Sequence, residues 1–83
     1  MIADKMRARL ATLDPTQLEI SDESEQHRGH AGFREGGESH FHIRIASPAF
    51  KGLSRVQRHR LVHATLGDIV PQIHALSLDL SES

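Results

Sequence analysis

His27 and His30 stand three residues apart in HRGHAGFREGGE, a stretch with glycines at 29, 32, 36 and 37. Glycine frees the backbone there to turn two imidazoles toward one ion. Further on, His40 and His42 alternate along HFHIRIAS and so share one side of an extended chain, a second permissible pair. Neither pair completes a metal centre. A zinc site needs three or four ligands with partners that orient them, and seven histidines in so short a chain produce such spacings by chance. On spacing alone, His40 and His42 are expected to face solvent and to tolerate replacement.

His74 differs from these. It opens IHALSLDL with the parity of Leu76, Leu78 and Leu80, and is expected to be half-buried at the start of a strand, one ring nitrogen reaching the surface. Other chemistry is thinly represented. There is no cysteine to act as nucleophile or thiolate ligand, and no serine sits in a G-x-S-x-G turn. The loop glycines do not match the G-x-x-x-x-G-K-[ST] phosphate loop. Glu19, Asp22, Glu23 and Glu25 are expected to be solvated, since nothing pairs them across a cleft. The chain does not read as an enzyme.

A basic run, KGLSRVQRHR at 51–60, offers Lys51, Arg55, Arg58 and Arg60 to phosphates, with Ser54 placed to cap a helix. No aromatic residue accompanies them as a stacking platform. The net charge of −1 gives no global attraction to nucleic acid or to an anionic membrane. No apolar run approaches the roughly 20 residues of a membrane-spanning helix, and MIADKMRARL is too charged for a signal peptide. The expected location is the cytoplasm, that is a bacterial cytosol, or an organelle matrix in a eukaryote.

These residues need a scaffold, and 83 residues without disulfides allow one small core. Ile2, Met6, Leu10 and Leu13 recur at helical spacing, which predicts a helix over 1–13, ended by Asp14-Pro15. Leu18 and Ile20 alternate with polar residues, predicting a strand over 17–22. The Gly/His loop spans 23–38. Phe41, Ile43 and Ile45 mark a strand over 39–46, and Phe50 and Leu53 return the chain to the core. A helix over 54–69 buries Leu61, Val62, Thr65, Leu66 and Ile69 before Pro71, and a last strand covers 73–79. The order α-β-β-α-β is an α+β layer, a three-stranded sheet with helices packed on one face.

Together, LEISDES, the histidine loop, ESHFHIRIASPAFKG, RVQRHRLVHATL and IHALSL resemble the BolA family, over about residue 10 to the end. The resemblance implies a fold similar to the class II KH domain. It does not extend to the RNA-binding G-x-x-G loop, because GHAG at 29–32 lies between two strands rather than two helices. It implies a partner, a monothiol glutaredoxin of the CGFS type. It also implies a two-iron two-sulfur cluster shared with the glutaredoxin cysteine and glutathione, and no cofactor in the chain alone. The C-terminal cluster ligand carries over to His74. The loop ligand carries over to His30, whose flanking glycines ease approach, with His27 as the alternative. Roles in iron–sulfur trafficking, iron sensing or the stress response follow from that resemblance. A DNA-binding transcriptional regulator using Arg55, Arg58, Arg60 and Lys51 is the alternative. Alone, the chain is expected to be a monomer or weak homodimer.

Overall fold

Helix α1 (Ile2–Leu10) forms where apolar residues recur every three or four positions, and it buries Met6 and Leu10 completely. The computed structural model describes residues 1–27 and 37–82. A 3-10 turn, Ala11–Leu13, tightens the end of α1, and Asp14 at φ 50° leaves the right-handed helical region just before Pro15. The helix therefore ends three residues earlier than the apolar spacing predicts.

Strand β1 (Gln17–Asp22) pairs antiparallel with β2 (His40–Ala46). β2 in turn pairs parallel with β3 (Ala75–Ser81), so β2 is the centre of a three-stranded sheet. The fold is α+β in the order α-β-β-α-β. A parallel pair cannot be closed by a tight turn, so the chain between β2 and β3 must cross over, and α2 (Arg55–Leu66) makes that crossing.

Ser54 starts α2 with a capping box. Its Oγ accepts the Gln57 N–H at 3.1 Å, and its own N–H donates to Gln57 Oε1 at 2.8 Å. The helix stops at Leu66 rather than at 69, because Gly67 at φ 57° departs from helical backbone. A 3-10 segment, Gly67–Gln72, follows and contains Pro71. Arg9 of α1 donates to the Leu66 carbonyl and pairs with Asp68, tying the two helices where α2 ends.

The core lies between the helices and one face of the sheet. Met6, Leu10, Val62, Leu66, Ile69 and Phe50 meet Phe41, Ile43 and Ile45, with Leu18, Ile20, Leu76, Leu78 and Leu80 packed at its margins. The opposite face is polar, and there Arg44 lies between Glu19 at 3.7 Å and Asp79 at 3.1 Å. β3 runs 75–81 instead of 73–79. It pairs residue for residue with the whole of β2, from His40 opposite Ala75 to Ala46 opposite Ser81.

The capping box is tested by Ser54→Ala, which removes the acceptor for the Gln57 N–H. The expected cost is about 1 kcal/mol, read as a midpoint lowered by roughly 4–8 °C in thermal denaturation. An unchanged midpoint would show that the capping box contributes nothing to α2.

Candidate functional site

At the edge of the sheet where β1 ends and β2 begins, the polar residues are wired to one another. Asp22 Oδ1 accepts the Ser24 N–H at 3.0 Å, an Asx turn that reverses the chain out of β1. The same oxygen accepts the Ser24 hydroxyl at 2.5 Å, while Oδ2 accepts the Glu38 N–H at 2.9 Å. One carboxylate thus holds both described flanks of the Gly/His loop. The return flank has the backbone this requires: Gly37 and Glu38 have φ of 84° and 59°. A Cβ on Gly37, strained at that positive φ, would lie 2.9 Å from Asp22 Oδ2 and so would have to displace the carboxylate that holds both flanks.

Ser24 Oγ is buried and serves as a hub. It accepts the Ser39 N–H at 2.9 Å, the Ser39 hydroxyl at 3.2 Å and the His40 N–H at 3.3 Å. Ser39 Oγ lies 2.8 Å from His40 Nδ1. Each hydroxyl carries one proton, and Ser24 donates its own in the hydrogen bond to Asp22. The arrangement that leaves no oxygen pair without a proton has Ser39 donating to Ser24, and His40 Nδ1–H donating to Ser39. The polar chain then runs in one direction, from His40 through two serines to an ionised carboxylate.

His40 is therefore not a solvent-facing residue. It is 4% exposed, whereas His42 keeps the outward position expected of it, half-buried with Nδ1 2.6 Å from Ser77 Oγ. The period of two assigns a side chain to a face of the sheet and says nothing of what covers that face. Asp22 is exposed, as expected of it, and is in addition bonded on both oxygens. Partial desolvation opposes ionisation, but the hydrogen bonds from Ser24 and Glu38 and the nearby His40 outweigh this. They hold the carboxyl below the usual aspartate range.

His74 reaches the same corner from the other end of the chain. Its N–H donates to the Ser39 carbonyl at 2.8 Å, as does the Ala75 N–H at 3.2 Å. It precedes β3 instead of lying within it, and it is exposed rather than half-buried. Its ring centroid lies 5.1 Å from that of His40, the planes tilted by 48°. His30 lies outside the described residues. His27 ends a 3-10 turn, Ser24–His27, and its side chain is also outside what is described. Among the described residues, no three histidine or carboxylate side chains are grouped to hold a metal ion.

The basic residues of α2 line two adjoining surfaces, with Arg55 and His59 common to both. Arg58 donates from Nε to the Leu53 carbonyl at 3.0 Å and pairs with Glu82 at 3.3 Å, facing a groove beside Leu78 and Leu80. Arg55 and Arg60 share the outer face of α2 with Val56, His59 and His63. Lys51 is exposed on the turn before α2.

Because Asp22 titrates below its ordinary value, its contribution is present above the unfolded-state pKa of ~3.9 and is lost as pH falls through the lower folded value. Comparing denaturant unfolding of the wild type and Asp22→Asn should therefore show the wild type more stable at pH 6. That advantage should shrink steadily below about pH 4. A pH-independent difference would mean that the ionised carboxylate does not hold the loop flanks.

The family model of BolA-like proteins matches residues 10–82. The chain is 49% identical over 71 residues to the SufE-like protein 1, chloroplastic/mitochondrial, of Arabidopsis thaliana, covering 80% of this chain and 19% of that protein. With Protein BOLA1, chloroplastic, of the same plant it shares 44% identity over 80 residues, covering 92% of this chain and 50% of that protein. It thus spans half or less of the length of either relative. The DNA-binding transcriptional regulator BolA of Vibrio cholerae is 39% identical over 80 residues, covering 94% of this chain and 72% of that one. The structure of BolA1 from Arabidopsis thaliana superposes with a TM-score of 0.84 at 37% identity, over 99% of this chain and 92% of that one. The sheet order, the crossing helix and the match over nearly the whole length agree: the chain belongs to the BolA family.

Proposed function

We propose that the chain is a non-enzymatic adaptor that partners a CGFS-type monothiol glutaredoxin. It would share a two-iron two-sulfur cluster with that protein through His74 and one loop histidine, His30 or alternatively His27. The observation that carries this reading is His74 itself, an exposed imidazole whose backbone is fixed to Ser39 beside the anchored flanks of the histidine loop. The donor set fits a shared group and not a private one. With no cysteine in the chain and no three-ligand group among the described residues, the protein offers one or two imidazoles and needs a partner's sulfur for the rest.

When bound, such a cluster supplies a redox-active iron pair, and imidazole ligation raises its potential relative to all-cysteine sites. The chain's own part is to present a neutral imidazole, because a protonated one has no lone pair to give, which makes association proton-linked. Asp22 and Ser24 fix where the loop leaves and rejoins the sheet, and Ser39 fixes the backbone of His74 relative to it. Trafficking of clusters, or sensing of iron through their presence, is the role that a partner-dependent ligand suits. The working compartment on this reading is a bacterial cytosol or an organelle matrix. The latter accords with the chloroplastic names of plant relatives, and no helix among the described residues is long and apolar enough to cross a membrane.

A second reading, DNA binding, is favoured by one relative's name and by exposed Arg55, Arg60 and Lys51 around α2. Arg58 is drawn away by Leu53 and Glu82. If Arg55 and Arg60 touch phosphates, replacing both with alanine should reduce the slope of log affinity against log salt by about 0.9 for each phosphate no longer neutralised. An unchanged slope removes this reading.

The leading reading is tested by mixing the chain with a cluster-bearing monothiol glutaredoxin and recording visible absorption and circular dichroism. The expected outcome is a new spectrum for the mixture, which His74→Ala returns to that of the glutaredoxin alone. A mixture whose spectrum is the glutaredoxin's own, with His74→Ala indistinguishable from wild type, contradicts it.

A further inference from the structure

The role proposed for His74 leaves one buried titratable ring unused. His40 is 4% exposed on the sheet face away from the main core, and its Nδ1 is committed to Ser39. What it touches is His74, ring centroid to ring centroid at 5.1 Å and tilted by 48°, within the range in which aromatic rings attract one another. We propose that His40 is a positioning residue, a fixed ring that selects the side-chain rotamer of His74.

His74 needs such a partner. Its backbone is pinned by the Ser39 carbonyl, but its side chain makes no hydrogen bond among the described residues and is exposed. An exposed side chain samples its staggered rotamers on a picosecond to nanosecond scale, and a ligand that must first be ordered loses affinity for that reason. His40 cannot rotate in the same way. Burial holds its ring, and its Nδ1–H is tied through Ser39 Oγ and Ser24 Oγ to the Asp22 carboxylate. A ring that is fixed on one side of His74 removes part of that side chain's freedom and aims the remainder. The same Ser39 therefore sets the His74 backbone through its carbonyl and the His74 ring through His40. The corner acts as one rigid unit.

The usefulness of this orientation rests on the cluster-ligand reading of His74, but the orientation itself is measurable without any cluster. In the full chain carrying isotopically labelled histidine, three-bond couplings at His74 report its χ1 distribution by NMR. The wild type should show one dominant rotamer. His40→Gln keeps a polar partner for Ser39 but removes the ring, and should give averaged couplings. His40→Phe keeps a ring and leaves Ser39 its bond to Ser24, and should retain the single rotamer. Equal His74 couplings in wild type and His40→Gln would overturn the proposal, as would a Phe variant that behaves like the Gln variant. If His40→Gln does not fold, wild type and His40→Phe against His40→Leu decides: leucine fills the buried position without a ring and should average the His74 couplings. Titrated with cluster-bearing glutaredoxin, the His40→Gln variant should bind about 10-fold more weakly, as when an outer partner of a ligand is removed. If His74→Ala leaves the glutaredoxin mixture's spectrum unchanged while His40→Gln still averages the His74 couplings, the cluster reading falls and the positioning role stands.

Discussion

The carbonyl oxygen of Ser39 accepts two N–H groups, those of His74 and Ala75, and the parallel pairing of β2 with β3 begins there. Everything distinctive about the chain is arranged around that junction. A parallel pair obliges the intervening chain to cross the sheet, and α2 makes that crossing with Val62 and Leu66 in the same core as Ile43 and Ile45. The same pairing carries the residue before β3 to the start of β2, where the Gly/His loop rejoins the sheet. Two parts of the sequence more than thirty residues apart, Ser39 and His74, are brought together by a backbone constraint rather than by their side chains.

The Ser39 side-chain and amide bonds close the arrangement. Its N–H and hydroxyl go to Ser24, Ser24 goes to Asp22, and Asp22 takes the N–H of Glu38 from the returning loop. Buried hydroxyls are costly unless bonded, and here no buried side-chain nitrogen or oxygen among the described residues lacks a partner. Such a network adds little net stability per bond. Its value is in specificity, since a slip of one residue between β1 and β2 would leave several of these groups unsatisfied at once. The two described flanks of the Gly/His loop are thereby held by one carboxylate.

Much of the architecture was legible in the sequence because it is periodic. The alternation in HFHIRIAS puts Phe41, Ile43 and Ile45 in the core, and the helical spacing of Met6 and Leu10 does the same for α1. Element ends were less so, because they follow from a single backbone angle at Gly67 or from the register with β2. The polar corner was the least legible. Asp22 two residues before Ser24 is a local turn signal, but Ser39 is fifteen residues further on, and nothing in the sequence announces that it meets Ser24. His40, which has the parity of an outward residue, is likewise buried, with its ring 5.1 Å from that of His74. Long-range hydrogen bonds between serines leave no periodic trace.

The central claim is that this chain supplies a histidine ligand to a cluster that it cannot hold alone. Pulsed electron paramagnetic resonance of the reduced complex with glutaredoxin, using a chain labelled with 15N at histidine only, addresses that claim at the level of the bond. The expected result is a strong nitrogen coupling to the cluster that changes from the 14N to the 15N pattern on labelling and loses the His74 contribution in His74→Ala. A reduced cluster with no strong nitrogen coupling, or one whose coupling is indifferent to the label, would contradict it.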